Sequence, residues 1–285
     1  MQPVSPTHTV APSPTATSVS TPTPSPTVTP EPTVRPVQDT APTKETKTLT
    51  FTVAYDNNTY DERLTTSWGF ACWVETEEAT VLFDTGGDGA RLLGNTSKLG
   101  LDLEAIDVVV LSHAHGDHTG GLGAMLGAGI RPTVYVPASF SALFKSDVRA
   151  HTNVVEVTGP MEVAPGVHTT GEIGSGIIEQ ALAVETKDGL VVVTGCAHPG
   201  IVKMVRRARQ SVDDDVALVM GGFHLDGASR ERIERIIGDF REMRVRRVAP
   251  CHCTGDSARR MFADAFGAAY VPAGVGWSVA LGVAE

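Results

Sequence analysis

Two β-sheets packed face to face with helices outside are what the sequence predicts from Lys47 to Glu285, and three observations predict them. Apolar runs of strand length alternate with helical stretches twice over along that span. One of those runs, Val108-Val109-Val110-Leu111, leads straight into Ser112-His113-Ala114-His115-Gly116-Asp117-His118-Thr119-Gly120-Gly121, a density of metal-binding side chains that strand ends carry in α/β proteins. The first 46 residues are different material, rich in Pro, Thr and Ser, as in Thr21-Pro22-Thr23-Pro24-Ser25-Pro26.

That opening segment lacks the apolar surface to offset its ordering entropy, so it reads as an extended, partly polyproline linker over residues 1–46. Such linkers stand between an anchor and an extracytoplasmic domain, and Met1-Gln2-Pro3 has neither the basic start nor the apolar core of a signal peptide. The expectation is an anchored or secreted protein whose signal segment is missing from this sequence, with a cytoplasmic location as the alternative.

The remaining elements follow in order. Leu49–Tyr55 alternates like a strand and ends in the turn signal Asp56-Asn57-Asn58; Trp68–Glu75 and Ala79–Phe83 are the next strands. Asp84-Thr85-Gly86-Gly87 follows, with Asp84 expected to support a metal-bound histidine. A short helix over Arg91–Leu99 precedes the Val108 strand. The helix after the histidine loop runs to Gly129, Thr133–Val136 is a strand and Ser139–Lys145 a helix. His151 and His168, in polar, strand-like surroundings, read as surface or structural histidines. Ala181–Glu185 and Leu190–Thr194 flank Lys187-Asp188-Gly189, a hairpin signal. A basic helix runs from Ile201 to Gln210, and its Arg206-Arg207-Ala208-Arg209 reads as a solvated face. Val216–Met220 is a strand and Arg230–Met243 a helix with Ile233, Ile236, Ile237 and Phe240 on one face. A strand at Arg247–Ala249, a helix at Ser257–Phe266 and a strand at Val275–Val283 complete the chain.

The chemistry is concentrated at the ends of these strands. In an extended segment His113 and His115 point the same way, and a helix starting near Asp117 turns Asp117 and His118 toward a neighbouring point. That suits two metal ions, His113 and His115 on one, Asp117 and His118 on the other, with zinc favoured by the imidazole and carboxylate donors. Iron and manganese are the alternatives. Gly120 and Gly121 remove bulk where helix and loop pack close to the strand. Three more histidines follow apolar strands: His198 and His252 rank as ligands, and His224 as a substrate-contacting, supporting or substitute ligand.

The net charge of −10, from 23 Lys+Arg against 33 Asp+Glu, offers no basic stripe for nucleic acid, so a small-molecule substrate is expected. No apolar stretch is long enough for a transmembrane helix. Oligomeric state is not legible. The cysteines at 72, 196, 251 and 253 form no zinc-finger spacing. Cys251 and Cys253, on either side of an extended His252, point away from it and read as packing.

The run His113-x-His115-x-Asp117-His118 resembles, residue for residue, the H-x-H-x-D-H signature of the metallo-β-lactamase superfamily. The resemblance implies an αββα sandwich of two mixed sheets over residues 47–285, with a one- or two-metal hydrolase site at the sheet edges. Asp56-Asn57-Asn58, Trp68-Gly69-Phe70, Thr194-Gly195-Cys196-Ala197-His198-Pro199-Gly200, Gly221-Gly222-Phe223-His224 and His252-Cys253-Thr254-Gly255 resemble the branch named after the dihydropterin-ribofuranosylaminobenzene-phosphate synthase of methanopterin biosynthesis. Many superfamily members have Thr-Gly-Asp where this chain has Thr194-Gly195-Cys196, and that aspartate bridges the metals. In an extended segment Cys196 and His198 face the same side, so both could address the metals, and Cys196 is then either a thiolate ligand in the aspartate's place or an inert buried thiol.

The activity implied is hydrolysis of an ester, lactone, thioester or phosphoester, since a bound metal lowers the pKa of its water to about 7. Asp117 orients the nucleophile and His224 or the second metal steadies the oxyanion. A di-iron oxidoreductase on the same fold is the alternative enzyme, disfavoured by histidine rather than glutamate at position 115. A non-catalytic metal-binding domain presented on a linker is the third reading.

Overall fold

The computed structural model describes residues 48–282; the expected linker over residues 1–46 lies outside them. Alternating apolar residues build the first sheet from β1 (Thr48–Tyr55), β2 (Ala71–Glu75), β3 (Thr80–Phe83), β4 (Val108–Val110), β5 (Thr133–Pro137), β6 (Val154–Val157) and β13 (Ser278–Gly282). Its order is β13-β1-β2-β3-β4-β5-β6. Pairing is antiparallel from β13 to β3 and parallel from β3 to β6.

The second sheet contains β7 (Met161–Ala164), β8 (Val167–Thr169), β9 (Leu182–Val184), β10 (Leu190–Thr194), β11 (Val216–Gly222) and β12 (Arg247–Cys251), in the order β12-β11-β10-β9-β8-β7. Here β10 to β12 are parallel and β7 to β10 antiparallel, so both sheets are mixed.

The period-2 rule explains why the strands read as unbroken apolar runs. Val81, Phe83, Val108 and Val110 of the first sheet meet Leu182, Val184, Val191, Val193, Leu218 and Met220 of the second in one core between the sheets. The intervening Leu82 and Val109 face the other way. They pack with Leu92, Leu122, Met125 and Leu126 from α1 (Gly89–Leu99) and α3 (Leu122–Gly127). On the second sheet Val192 and Val219 face α5 (Ile201–Val212), α6 (Arg230–Glu242) and α7 (Asp256–Phe266). Within α5, Ile201, Met204, Val205 and Ala208 are buried, the i, i+3, i+4, i+7 stripe of a helix lying on a sheet. Its arginines are engaged within the chain: Arg206 with Asp239, Arg209 with Asp215, and Arg207 with the Thr170 carbonyl.

Several boundaries differ from expectation. Strand β2 starts at Ala71 rather than Trp68, because Gly69 at φ 134° turns the chain and the Phe70 amide bonds the Asp117 carbonyl. Helix α4 spans Ala142–Arg149, shifted from the expected Ser139–Lys145, because Ser141 caps it by accepting from the Phe144 amide. Strand β13 starts three residues late, after Gly276 at φ 92°. β6, β7 and β8 are delimited by nothing in the sequence beyond the strand-like surroundings of His151 and His168; they are short, and β6 and β7 are only partly buried, which erases the hydrophobic signal. His168 sits in β8 and pairs with Glu185 at 2.6 Å, the structural role expected of it. Among the described residues no helix is long and apolar enough to cross a membrane.

Phe51, fully buried between the sheets, tests this arrangement. Phe51→Ala is expected to cost about 3–5 kcal/mol in urea unfolding, the range for emptying a large aromatic site in a core.

Candidate metal centre

The site lies where strands of both sheets end. Four donors come from the segment after β4, closed by the short helix α2 (Gly116–Thr119). His113 and His115 face one another, Nε2 to Nδ1, at 3.0 Å, although the segment bends rather than continuing extended. His118 is fully buried and Asp117 partly exposed. The two glycines after them do what the sequence suggested: a Cβ on Gly121 would lie 2.1 Å from the Thr85 carbonyl oxygen, and one on Gly120 2.4 Å from that of Gly87.

Asp84, at the end of β3, holds this segment in place. Its Oδ1 accepts from the Ser112 amide at 2.7 Å. Its Oδ2 accepts from Ser112 Oγ at 2.7 Å and faces His118 Nδ1 at 2.6 Å. Ser112 Oγ in turn meets His113 Nδ1 at 2.8 Å. One carboxylate therefore sets the orientation of His118 directly and of His113 through a hydroxyl, leaving the Nε2 atoms turned toward the site.

The second sheet supplies the rest. Cys196 Sγ lies 3.2 Å from His118 Nε2 and 3.4 Å from His252 Nε2. His252 opens a 3-10 turn after β12; its Nδ1 meets Asn57 Oδ1 at 2.9 Å and its amide donates to Asp56 at 3.0 Å. Asp117 Oδ2 stands 3.5 Å from His118 Nε2 and 3.4 Å from His252 Nε2. The His198 ring is 4.8 Å from both His113 and His115.

Two sets of donor atoms thus converge, each within 4.8 Å: Asp117, His118, Cys196 and His252, and His113, Cys196 and His198, with Cys196 common to both. His198 Nε2 is buried and has no hydrogen-bond partner, a state that costs free energy in a folded protein unless a ligand satisfies it. This donor set fits a pair of borderline metal ions.

Charge states support the same fit. Burial, reinforced by the neighbouring imidazoles, drives His113 far below the usual histidine range, and burial with His224 and His115 nearby lowers His198 to about 4. Both present lone pairs at neutral pH. Burial also pushes His118 down, but the Asp84 carboxylate outweighs it and leaves its pKa raised. For Asp117, burial works upward and is overcome by His252 and His118, so the carboxylate stays ionised.

Two expectations about cysteines are corrected. Cys196 and His198 do not share a face through extended geometry; Ala197 at φ 62° turns the loop and brings both inward. Cys253 does not point away: His252 at φ 46° starts a turn that places the Cys253 thiol against Cys196 and His224. Of this coupled pair the Cys196 hydrogen bond and His224 hold Cys253 low, at about 4, and Cys196 carries the proton. A metal ion held by Cys196 would reverse that order, since coordination deprotonates a thiol. Cys251 does pack, in the core between the sheets. His224, exposed at φ 51°, sets its ring 4.2 Å from that of His198, the two planes tilted by 57°.

Glu179 escaped the sequence reading. Fully buried, it accepts the successive amides of Cys196 and Ala197 on Oε1 at 2.9 and 2.8 Å, and of His198 on Oε2 at 2.8 Å. Burial raises its pKa to about 7. Only an isolated charge at the head of the apolar run Ala181–Val184 hints at it. Trp68, 54% exposed, sets its ring 4.9 Å from that of His252 at the mouth of the site.

Comparison with known proteins agrees with this geometry. The model of the metallo-beta-lactamase superfamily matches residues 69–205. The chain is similar to that superfamily and, within it, to the methanopterin-type branch. It is 28% identical to the 7,8-dihydropterin-6-methyl-4-(beta-D-ribofuranosyl)-aminobenzene-5'-phosphate synthase of Methanocaldococcus jannaschii, a match covering 76% of this chain and 90% of the relative. Among solved structures, a metal-dependent hydrolase of the beta-lactamase superfamily superposes with a TM-score of 0.67 at 27% identity, covering 81% of this chain and 98% of the other. Human tRNase Z, short form, shares the fold at a TM-score of 0.54 and 15% identity, covering 82% of this chain and 100% of the other.

Asp84→Asn keeps the size of the side chain while removing its charge. It is expected to lower metal affinity by about 10–100-fold, the usual cost of losing a ligand's supporting partner. Competition against a chromogenic chelator measures it.

Proposed function

We propose that this domain is a metal-dependent, dizinc hydrolase acting on a small ester, lactone, thioester or phosphoester. One observation carries the reading: six donors from two sheets converge on two sets that share Cys196, beside a buried His198 Nε2 that no protein group satisfies. In this reading His113, His115 and His198 hold one ion, Asp117, His118 and His252 hold the other, and Cys196 reaches both. The bound ions supply Lewis acidity and a water acidic enough to ionise near neutral pH.

The chain's own residues do the remainder. Asp117, ionised and partly exposed, accepts the proton of the attacking water at its carboxylate and fixes the direction of attack. His224 stands at the exposed rim with its pKa raised chiefly by Cys253, and donates to the oxygen that gains negative charge. Asp84, Asn57 and Glu179 hold the ligand groups and so lower the cost of assembling the site. Hydrolysis is supported by the 27%-identical metal-dependent hydrolase, and a pterin-linked phosphate belongs among the candidate substrates because of the synthase relative.

Metal analysis of the purified protein should give two zinc ions per chain. A panel of lactone, thioester, phosphodiester and pterin-phosphate substrates should then reveal chelator-sensitive turnover that zinc restores. A coloured, iron-loaded protein without hydrolytic turnover would overturn the proposal. His113→Ala and His115→Ala should each lower turnover and metal content more than the about 10–100-fold cost of losing a supporting partner.

The role of Cys196 has its own test. Cys196→Asp should retain activity by supplying the superfamily's commoner ligand, whereas Cys196→Ala should weaken the second metal. Two tightly bound ions and full turnover in Cys196→Ala would reduce Cys196 to packing.

A further inference from the structure

A third cluster meets at Cys196. Cys196, His224 and Cys253 bring their donor atoms within 4.8 Å of one another, and the proposed hydrolysis gives Cys253 no task. The two sulfurs lie within 4.8 Å of one another, and Cys253 Sγ also lies 3.6 Å from the Cys196 carbonyl oxygen. Gly222 opens the space between them: a Cβ there would stand 2.8 Å from Cys253 Sγ and 3.2 Å from Cys196 Cα. All four free cysteines are buried, though not equally. Cys196 and Cys253 keep slight exposure beneath the exposed His224, whereas Cys72 and Cys251 have none. Cys251, two residues from Cys253, is held against Asp56 within the core between the sheets.

We propose that Cys196 and Cys253 are a paired oxidation site that closes reversibly to a disulfide under hydrogen peroxide or a related peroxide. The Cys253 thiolate attacks the peroxide O–O bond; an S–O bond forms, the O–O bond breaks, and the departing hydroxide leaves as water with a proton from solvent. The Cys196 sulfur then attacks the resulting sulfenic sulfur. An S–S bond forms, the S–O bond breaks, and a second water departs with the Cys196 proton. Two thiols lose two electrons and one peroxide gains them. A dithiol reductant reverses the step by exchange.

The consequence rests on the reading of Cys196 as a metal ligand: the disulfide removes the sulfur common to both donor sets, so oxidation releases metal. The pair thereby makes metal loading dependent on the redox state of the surroundings.

The test uses the full chain, as isolated with metal and after chelation. Protein is treated with equimolar hydrogen peroxide, alkylated under denaturing conditions, digested without reduction and mapped by mass spectrometry. Alkylatable thiols should fall from four to two, with one linked peptide joining Cys196 to Cys253, and dithiothreitol should restore all four. Cys253→Ser should leave Cys196 out of any disulfide; mapping of the unaltered protein decides the matter if that variant does not fold. Four thiols surviving peroxide, Cys253 over-oxidised while Cys196 still alkylates, or linkage through Cys72 or Cys251 would each overturn the proposal. A chelating dye read in parallel separates the two readings: the linked peptide with metal fully retained supports the disulfide and removes Cys196 from the ligand set.

Discussion

A single buried carboxylate, Asp84, is the constraint on which this site depends. With no exposure to solvent it would be costly if unpaired, yet every interaction it makes ties down part of the metal-binding segment. It takes the Ser112 amide and hydroxyl and the His118 ring, while its own amide bonds Val110 at the end of β4. The end of β3, the end of β4 and helix α2 are thereby locked together before any ligand arrives. The expense of burying the charge is met by hydrogen bonds that also aim the imidazoles, so stability and preorganisation come from the same contacts.

The two sheets divide the work in a corresponding way. Parallel strands β3 and β4 deliver Asp84 and the histidine segment from one sheet; parallel strands β10, β11 and β12 deliver Cys196, His198, His224 and His252 from the other. Packing of the inward-facing valines and leucines between the sheets therefore decides how far apart the two halves of the donor set lie. Cys196 stands at the junction, reaching His118 of the first half and His252 of the second. Asp56 and Asn57 at the end of β1 cross the same divide to hold His252.

The buried strands and amphipathic helices were legible because periodicity there records burial directly: Leu190–Thr194 falls where the pattern put it, the Val216–Met220 strand runs on only to Gly222, and of the expected helix stripe Ile233, Ile237 and Phe240 are buried. So was the His113–His118 run, because its donors are adjacent in the chain. The partly exposed β6 and β7 were silent, since a half-polar strand has no distinct period. Glu179 was silent for another reason. It acts on backbone amides of residues 196–198, and amide acceptors carry no side-chain signature in the sequence. Cys253 was misread because alternation applies only to extended backbone, and the chain leaves that conformation at His252.

That departure is part of a wider pattern. Asp84, Ala197, His224 and His252 all occupy the left-handed region, with φ between 46° and 62°. For a residue with a Cβ this conformation costs roughly 1–3 kcal/mol, and aspartate and histidine tolerate it better than most. Three of the four are of those tolerant types; Ala197 is the exception, and it is the one whose amide, with both neighbours' amides, is bound by Glu179. Each turn stands at a strand's end and redirects the chain out of the sheet. An extended exit would send adjacent side chains to opposite faces, and His252 and Cys253 would then not gather around one centre. The local strain is what converts strand ends into a convergent donor set, and Asp84, Asp56 and Glu179 supply the buried hydrogen bonds that keep it from relaxing.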